Sequence, residues 1–182
     1  MKEATKKRLS RIGVGVVIVL AVLAVIVALQ PDHTHVERSA VVKASPEAVH
    51  AYVNDLGNWN SFSPWADLDP NAAIEYEGPR TGKGATFRWD GNNEVGAGSM
   101  TIAESVPGEK VRMDLEFTRP MPGKSTAAFT LAPVEGGTNV TWSTDWDNNF
   151  ISKAMGLIMD CDAMMGGYFE EGLANLKTQV ER

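Results

Sequence analysis

The chain has 182 residues, of which 43% are hydrophobic, and its 17 basic and 23 acidic residues give a formal net charge of −6 at pH 7. Cys161 is the only cysteine, which excludes a disulfide framework and a thiolate zinc site built from one chain. An acidic chain without a basic stripe argues against a nucleic-acid-binding protein.

The first element is an uncharged apolar run, Ile12–Leu29, which predicts a transmembrane helix over 12–29. As a helix it spans about 27 Å, close to the ~30 Å hydrocarbon core of a bilayer. Five basic residues precede it: Lys2, Lys6, Lys7, Arg8 and Arg11. The positive-inside rule then predicts a cytoplasmic N-terminus (1–11) and a periplasmic or extracytoplasmic domain on a single-pass protein of the inner or plasma membrane. A cleaved signal peptide is the alternative, but its apolar stretch is about 7–15 residues.

A short linker, 30–35, joins this helix to one domain, 36–182. Residues 30–182 contain 12 basic and 22 acidic residues, a net charge of −10, which argues against lying flat on anionic lipid. The first strand is expected over Val36–Lys43. Ser45-Pro46-Glu47 is typical of a helix start, and Gly57 of a helix end.

A polar loop is predicted over residues 58–70, and it contains Trp59, Phe62 and Trp65. Aromatic side chains in such a polar segment either tuck under it or line an opening. We therefore expect these three residues to form the entrance of a cavity.

From Ala73 to Trp146 the apolar residues alternate with polar ones, as in Val111, Met113, Leu115 and Phe117. This period of two predicts an antiparallel meander of about six strands with one covered face.

The last segment is helical. Asn149 is the expected N-cap, and Gly166-Gly167 is expected to bend or break the segment into a short helix and a long C-terminal one. Only the long helix can cover the sheet, so the fold class is α+β, with a cup between the sheet and that helix.

Several motifs resemble one superfamily: Leu56-Gly57-Asn58-Trp59 with Ser63-Pro64-Trp65, Gly137-Thr138-Asn139-Val140-Thr141-Trp142, and Phe169-Glu170-Glu171-Gly172-Leu173. They resemble the START-like, or SRPBCC, helix-grip superfamily, and within it the polyketide cyclase/dehydrase-type group, over about 40–182. The resemblance implies a helix-grip fold, a curved antiparallel sheet of about six to seven strands around a long C-terminal helix, here preceded by one transmembrane helix. This fold hosts lipid carriers, cyclases and co-chaperones, so it does not specify a function.

The covered faces predict a ligand-binding cavity lined by large apolar groups, among which methionines suit irregular pockets. The predicted lining is Trp89, Met100, Met113, Leu115, Phe117, Phe129, Trp142, Thr144, Trp146, Met155, Met159, Met165 and Phe169. The Thr144 hydroxyl either orients a ligand or bonds to a neighbouring strand. Arg38 is either a buried charge for an anionic ligand or a rim residue.

We predict no catalytic residue, no metal site and no cofactor. His33 and His35 lie in the linker, which does not hold the geometry that a metal site needs. His50 is expected to face solvent, which leaves a Ser-His pair without a base. The leading hypothesis is a membrane-anchored, non-catalytic domain that binds a hydrophobic small molecule or lipid. The alternatives are a cyclase/dehydrase-like enzyme and a protein-interaction module of the cell envelope.

Overall fold

The computed structural model describes residues 2–182, and side chains from residue 13 onwards. The chain forms two compact units, the first made of 1–33 and 148–160, the second of 34–147 and 161–182. The side chains of the basic N-terminus, 1–11, and of Ile12, the first residue of the predicted transmembrane helix, lie outside the described part.

The first unit contains α1 (Lys2–Ala28) and α4 (Phe150–Gly156), which contact each other. Asp32 ties the segments together, because its carboxylate pairs with the Lys153 ammonium and its carbonyl accepts from the Asn148 N–H at 2.8 Å. The Asn149 side chain caps α4 as predicted, accepting from the Ser152 N–H at 2.9 Å. Among residues 13–182, no helix is both long and apolar enough to cross a membrane.

The second unit contains an open seven-stranded sheet in the order β1-β7-β6-β5-β4-β3-β2. Its strands are β1 (His33–Val42), β2 (Ala73–Glu77), β3 (Thr86–Asp90), β4 (Ala97–Val106), β5 (Lys110–Arg119), β6 (Gly123–Val134) and β7 (Gly137–Asp147). Strands β2 to β7 pair antiparallel with their sequence neighbours. With the long C-terminal helix α5 (Cys161–Val180), the sheet confirms the α+β helix-grip prediction.

The segment after β1 is more helical than predicted. Ser45 caps α2 (Pro46–Val53) as expected, but α2 ends at Val53, with Asn54 as its C-cap, and not at Gly57. The predicted loop 58–70 is wrong, since a 3-10 helix (Leu56–Ser61) and α3 (Trp65–Leu68) occupy most of it. The Asp55 carboxylate accepts from the Gly57 N–H at 2.9 Å, and this side-chain cap starts a new helical turn where the glycine was expected to end one.

Helix α5 passes through Gly166-Gly167 without a break, so the predicted position of the break is wrong; it lies at 157–160. A Cβ atom on Gly166 would lie 2.1 Å from Nη2 of Arg38. The glycine therefore makes room for a guanidinium against the helix. Arg38 is paired with Asp162 at 2.8 Å and Glu170 at 3.1 Å, and these carboxylates neutralise its charge.

His50 is buried, so the prediction that it faces solvent is wrong. Its Nε2 lies 3.1 Å from the Ser105 hydroxyl, which donates to the Asn54 side-chain oxygen at 2.8 Å. Because the hydroxyl proton is directed at Asn54, the consistent assignment has the Nε2–H of His50 donating to Ser105. In this arrangement the imidazole does not act as a base toward that serine.

Substituting His50 with glutamine is expected to reduce the fall in the free energy of unfolding between pH 7.5 and pH 5.5. Burial lowers the pKa of His50 below its ordinary value of about 6.5, so the unfolded chain binds the proton more readily. The contribution of neutral, buried His50 to the free energy of unfolding is therefore complete above about pH 6.5, and it is lost as the pH falls toward the lower pKa of the folded state. Urea midpoints of both proteins at the two pH values measure it.

His35 supplies the internal contrast, because its hydrogen bond to Asp145 raises the pKa of His35 and acts in the opposite direction. Its contribution is present in both proteins and cancels in the comparison. Parallel pH profiles for the wild type and His50→Gln would contradict the prediction.

Candidate ligand-binding site

Six aromatic rings meet on the face of the sheet that α5 covers, and we call them the aromatic cluster: Trp59, Phe62, Trp65, Phe129, Trp142 and Phe169. Trp142 contacts the other five rings. Its indole stacks on Phe169 with centroids 4.6 Å apart and planes 12° apart, and it lies 4.8 Å from Phe129. All six are predicted cavity or entrance residues, and the structure brings them into mutual contact.

The position of Trp142 follows from strand register and a close helix approach. Phe129 and Trp142 are directly paired between β6 and β7, which places both side chains on one face of the sheet. On α5, a Cβ atom at Gly172 would lie 2.5 Å from Cζ3 of Trp142. The absence of a side chain there lets the helix backbone approach the indole, while Phe169 stacks on it.

Two buried side-chain polar atoms lack a hydrogen-bond partner in the part of the chain that the structure describes, one on Trp142 of the cluster and one on Ser63, which follows Phe62 in the chain. Trp142 and Ser63 are 1% and 3% exposed, and within the described residues neither the indole N–H nor the Ser63 hydroxyl has a hydrogen-bond partner. An unpaired buried donor costs about 1–3 kcal/mol of folding free energy. Binding of a ligand whose acceptor atom pairs with this donor would therefore be favoured. Sequence reasoning missed Ser63, which sits in the Trp-rich segment without any periodic signal.

The predicted residues Trp89 and Phe117 form a separate aromatic pair, 5.6 Å apart, which continues to Phe87 on β3. The Trp89 indole N–H already donates to the Val95 carbonyl at 3.1 Å. Three further predicted lining residues belong to the same continuous core. Met100 and Met113 are fully buried there, and Leu115 is partly buried.

The remaining predicted lining residues divide between the two units. Thr144 is buried and donates to the Thr126 carbonyl at 3.0 Å, which confirms that its hydroxyl bonds to a neighbouring strand. Trp146 and Met165 are partly buried against the core of the second unit. Met155 and Met159 belong to the first unit and are each 42% exposed, so they are outside that core.

A half-open groove of about 500 Å³ lies beside β2 and β3, at a place that sequence reasoning missed. Its lining includes Asp55, Leu56, Tyr76, Arg80, Ala85 and Thr86. At its edge the Asp55 carboxylate pairs with the Arg80 guanidinium at 3.0 Å. Leu56 and Trp59 belong to the same 3-10 helix, so one short element borders the groove and contributes to the aromatic cluster.

Metal chemistry has no support in the described side chains. Among residues 13–182, no group of three or more histidine, cysteine, aspartate or glutamate side chains is arranged to hold a metal ion. The six rings of the aromatic cluster make the surroundings of Trp142 mainly apolar, a composition compatible with binding a hydrophobic molecule.

A family model described as "Polyketide cyclase / dehydrase and lipid transport" matches residues 33–181. The chain belongs to this family. The match covers the complete sheet and α5, and it confirms the resemblance of the motifs at Leu56–Trp65 and Phe169–Leu173. No curated protein sequence matches the chain.

Solved structures share the fold of this polyketide cyclase/dehydrase family member at low sequence identity. A protein of Chromobacterium violaceum is 18% identical with a TM-score of 0.58, covering 84% of this chain and 99% of its own. The di-domain ARO/CYC StfQ from the steffimycin biosynthetic pathway is 13% identical with a TM-score of 0.57, covering 82% of this chain and 51% of its own. The Aha1 dimer of Colwellia psychrerythraea is 18% identical with a TM-score of 0.54, covering 81% of this chain and 96% of its own.

Proposed function

We propose that this family member is a non-catalytic binding domain that holds a hydrophobic small molecule or lipid against the aromatic cluster. The observation that carries the proposal is the pair of buried groups without a protein partner, Trp142 Nε1 and Ser63 Oγ. The ligand class that fits is an apolar body bearing one hydrogen-bond acceptor, such as a carbonyl or ester oxygen. The apolar body of the ligand replaces some of the contacts among the rings of the aromatic cluster. Its oxygen accepts a hydrogen bond from the indole N–H of Trp142.

The domain is attached to the membrane by the 12–29 helix, with the N-terminus in the cytoplasm and the domain outside it. The support is the uncharged run in the sequence, its basic N-terminal flank, and the exposure of the large apolar side chains of α1 from Val14 to Ile26. A domain that binds an apolar molecule gains from this location, because its ligand partitions into the bilayer.

The alternatives are less well supported. A cyclase or dehydrase reaction needs an acid or base that reaches the bound molecule, and the His50 imidazole is engaged with Ser105, away from a substrate proton. A protein-interaction module would present an aromatic patch at Trp59 and Trp65, but both rings pack against Trp142.

The test is native mass spectrometry of the full chain purified from its own host, with extraction of whatever co-purifies. We expect an apolar molecule with an acceptor oxygen. In Trp142→Phe, which keeps an aromatic ring and deletes only the unpaired N–H donor among its polar groups, affinity for that molecule should fall about fivefold to tenfold, equivalent to about 1–1.4 kcal/mol.

Trp89→Phe is the matched control, since its N–H already donates to a backbone carbonyl; its ligand affinity should change less than twofold. A chain that remains free of adducts after incubation with host lipid extract would contradict the binding function. Equal losses in the two variants would place the acceptor away from Trp142.

A further inference from the structure

The segment 150–159, made of α4 and the three residues that follow it, exposes an unusual number of large apolar side chains. Ile158 is 89% exposed, and the others are exposed by two-fifths or more: Phe150, Ile151, Met155, Leu157 and Met159. Isolated exposed apolar residues are normal on protein surfaces, but six within ten residues indicate a surface that has an apolar partner.

Charge is almost absent from this segment. Lys153 is the only charged residue among 149–159, its side chain is 10% exposed, and its ammonium is paired with the carboxylate of Asp32. The exposed surface of the segment therefore carries no free charge that must be stripped of water when an apolar phase covers it.

The segment lies beside a second exposed apolar surface, that of α1. Helix α4 contacts α1 within the first unit, and the apolar side chains of α1, among them Val22, Val25 and Ile26, are exposed as well. The contact is tied by the Asp32–Lys153 pair and by the Asn148 amide, which donates to the Pro31 carbonyl at 3.2 Å. Both surfaces thus meet at the C-terminal end of α1.

We propose that segment 150–159 is a membrane-contacting element, whose apolar side chains enter the interfacial region of the bilayer beside the end of α1. The inference rests on the proposed membrane attachment of α1. Short apolar elements bind the headgroup–acyl boundary by burying such side chains. The element holds the attached end of the domain close to the lipid phase from which an apolar ligand would come.

A bilayer fits this surface better than a protein groove does. Phe150, Ile151 and Met155 project from α4, whereas Leu157, Ile158 and Met159 come from the non-helical residues after it, so the six do not form a single helical stripe. A fluid phase adapts to that irregular shape. Because residues 30–182 carry a net charge of −10, insertion should be driven by apolar burial and not by anionic lipid.

The experiment uses the full chain in phosphatidylcholine vesicles, with the native cysteine removed (Cys161→Ser) and one fluorophore attached through Val19→Cys, Ile158→Cys or Lys83→Cys. Nitroxide-labelled lipids report depth by quenching the fluorophore. We expect strong quenching at 19 and 158, at least threefold above that at 83, with no change when anionic lipid is added or salt is raised.

Each result separates the two proposals. Quenching at 19 but not at 158 would overturn the membrane-contacting element and leave the anchor standing. Quenching at 158 without quenching at 19 would overturn the membrane attachment of α1 and with it the placement of the element beside the end of that helix. No quenching at either position would overturn both proposals. Shielding of position 158 from aqueous iodide without nitroxide quenching would indicate that this chain, in the same or a second copy, covers the segment, and it would also overturn the proposal.

Discussion

Replacing Trp142 with alanine is expected to lower the free energy of unfolding by about 3–5 kcal/mol, the range for a fully buried aromatic side chain. Trp142 contacts five other rings, so its loss removes the centre of the aromatic cluster and leaves a cavity bounded by β6, β7 and α5. The surrounding strands are held by ladder hydrogen bonds and cannot close fully around the gap, which keeps the loss near the upper part of this range.

Urea denaturation measures the effect as a shift of the midpoint at constant slope. Tyr76→Ala is the control, because that ring is 56% exposed and contacts Phe87 at the edge of the sheet. Its loss should stay below about 1 kcal/mol. A cost for Trp142→Ala as small as that of the control would show that the cluster collapses around the gap and does not organise the core.

Ligand retention should also fail in Trp142→Ala, and more completely than in Trp142→Phe. The alanine variant removes both the stacked surface and the N–H donor, whereas phenylalanine retains most of the surface. The comparison separates the contribution of apolar contact from that of the hydrogen bond. If both variants retain the co-purifying molecule as well as the wild type does, the binding site lies elsewhere, with the groove beside β2 and β3 as the next candidate.

A matched pair of glycine substitutions on α5 should change stability in opposite directions. Gly172→Ala is expected to destabilise the protein by about 1–3 kcal/mol, since the new Cβ atom would meet Cζ3 of Trp142 at 2.5 Å and the indole is stacked on Phe169. Gly167→Ala is expected to stabilise it by about 0.5–1 kcal/mol, because nothing lies within 4 Å of that position and alanine has the higher helix propensity.

Both substitutions make the same chemical change in the same helix, so the difference between them isolates the close approach of α5 to the sheet. The two free energies of unfolding, from urea titrations under identical conditions, should differ by roughly 1.5–4 kcal/mol. Two stabilising substitutions of similar size would mean that the indole moves aside, and the contact between α5 and Trp142 would then not define the interior.

Much of the architecture was predictable because local signals and burial agreed. The alternation in β5 from Val111 to Phe117 predicted its covered face, and Ser45 and Asn149 predicted two helix starts. The aromatic cluster was also foreseeable: Phe129, Trp142 and Phe169 were all assigned to the covered interior, since each lies in an apolar alternation or stripe.

Other features depended on contacts between distant residues. The 3-10 helix at Leu56–Ser61 forms where a glycine predicted an end, because Asp55 caps a new turn and Trp59 and Phe62 gain contacts with Trp142. The burial of His50 needed a hydroxyl from β4 that is 55 residues away in the chain. Met155 and Met159 were expected to line the cavity from the helix that faces the sheet, but they precede α5 and belong to the first unit.

By itself the sequence determined the class of the protein: an apolar N-terminal run with a basic flank, an acidic remainder, a period-two sheet and a long closing helix. These follow from side-chain periodicity and charge, which are properties of neighbouring residues. Only the tertiary structure decided that the Arg38 guanidinium packs against Gly166 and the Trp142 indole against Gly172. It also decided that the Trp142 indole N–H and the Ser63 hydroxyl are buried without a hydrogen-bond partner among the described residues. The exposure of the apolar side chains of α4 beside α1 is likewise a tertiary feature. Each depends on the distance between atoms far apart in the chain, and packing of the whole fold determines that distance.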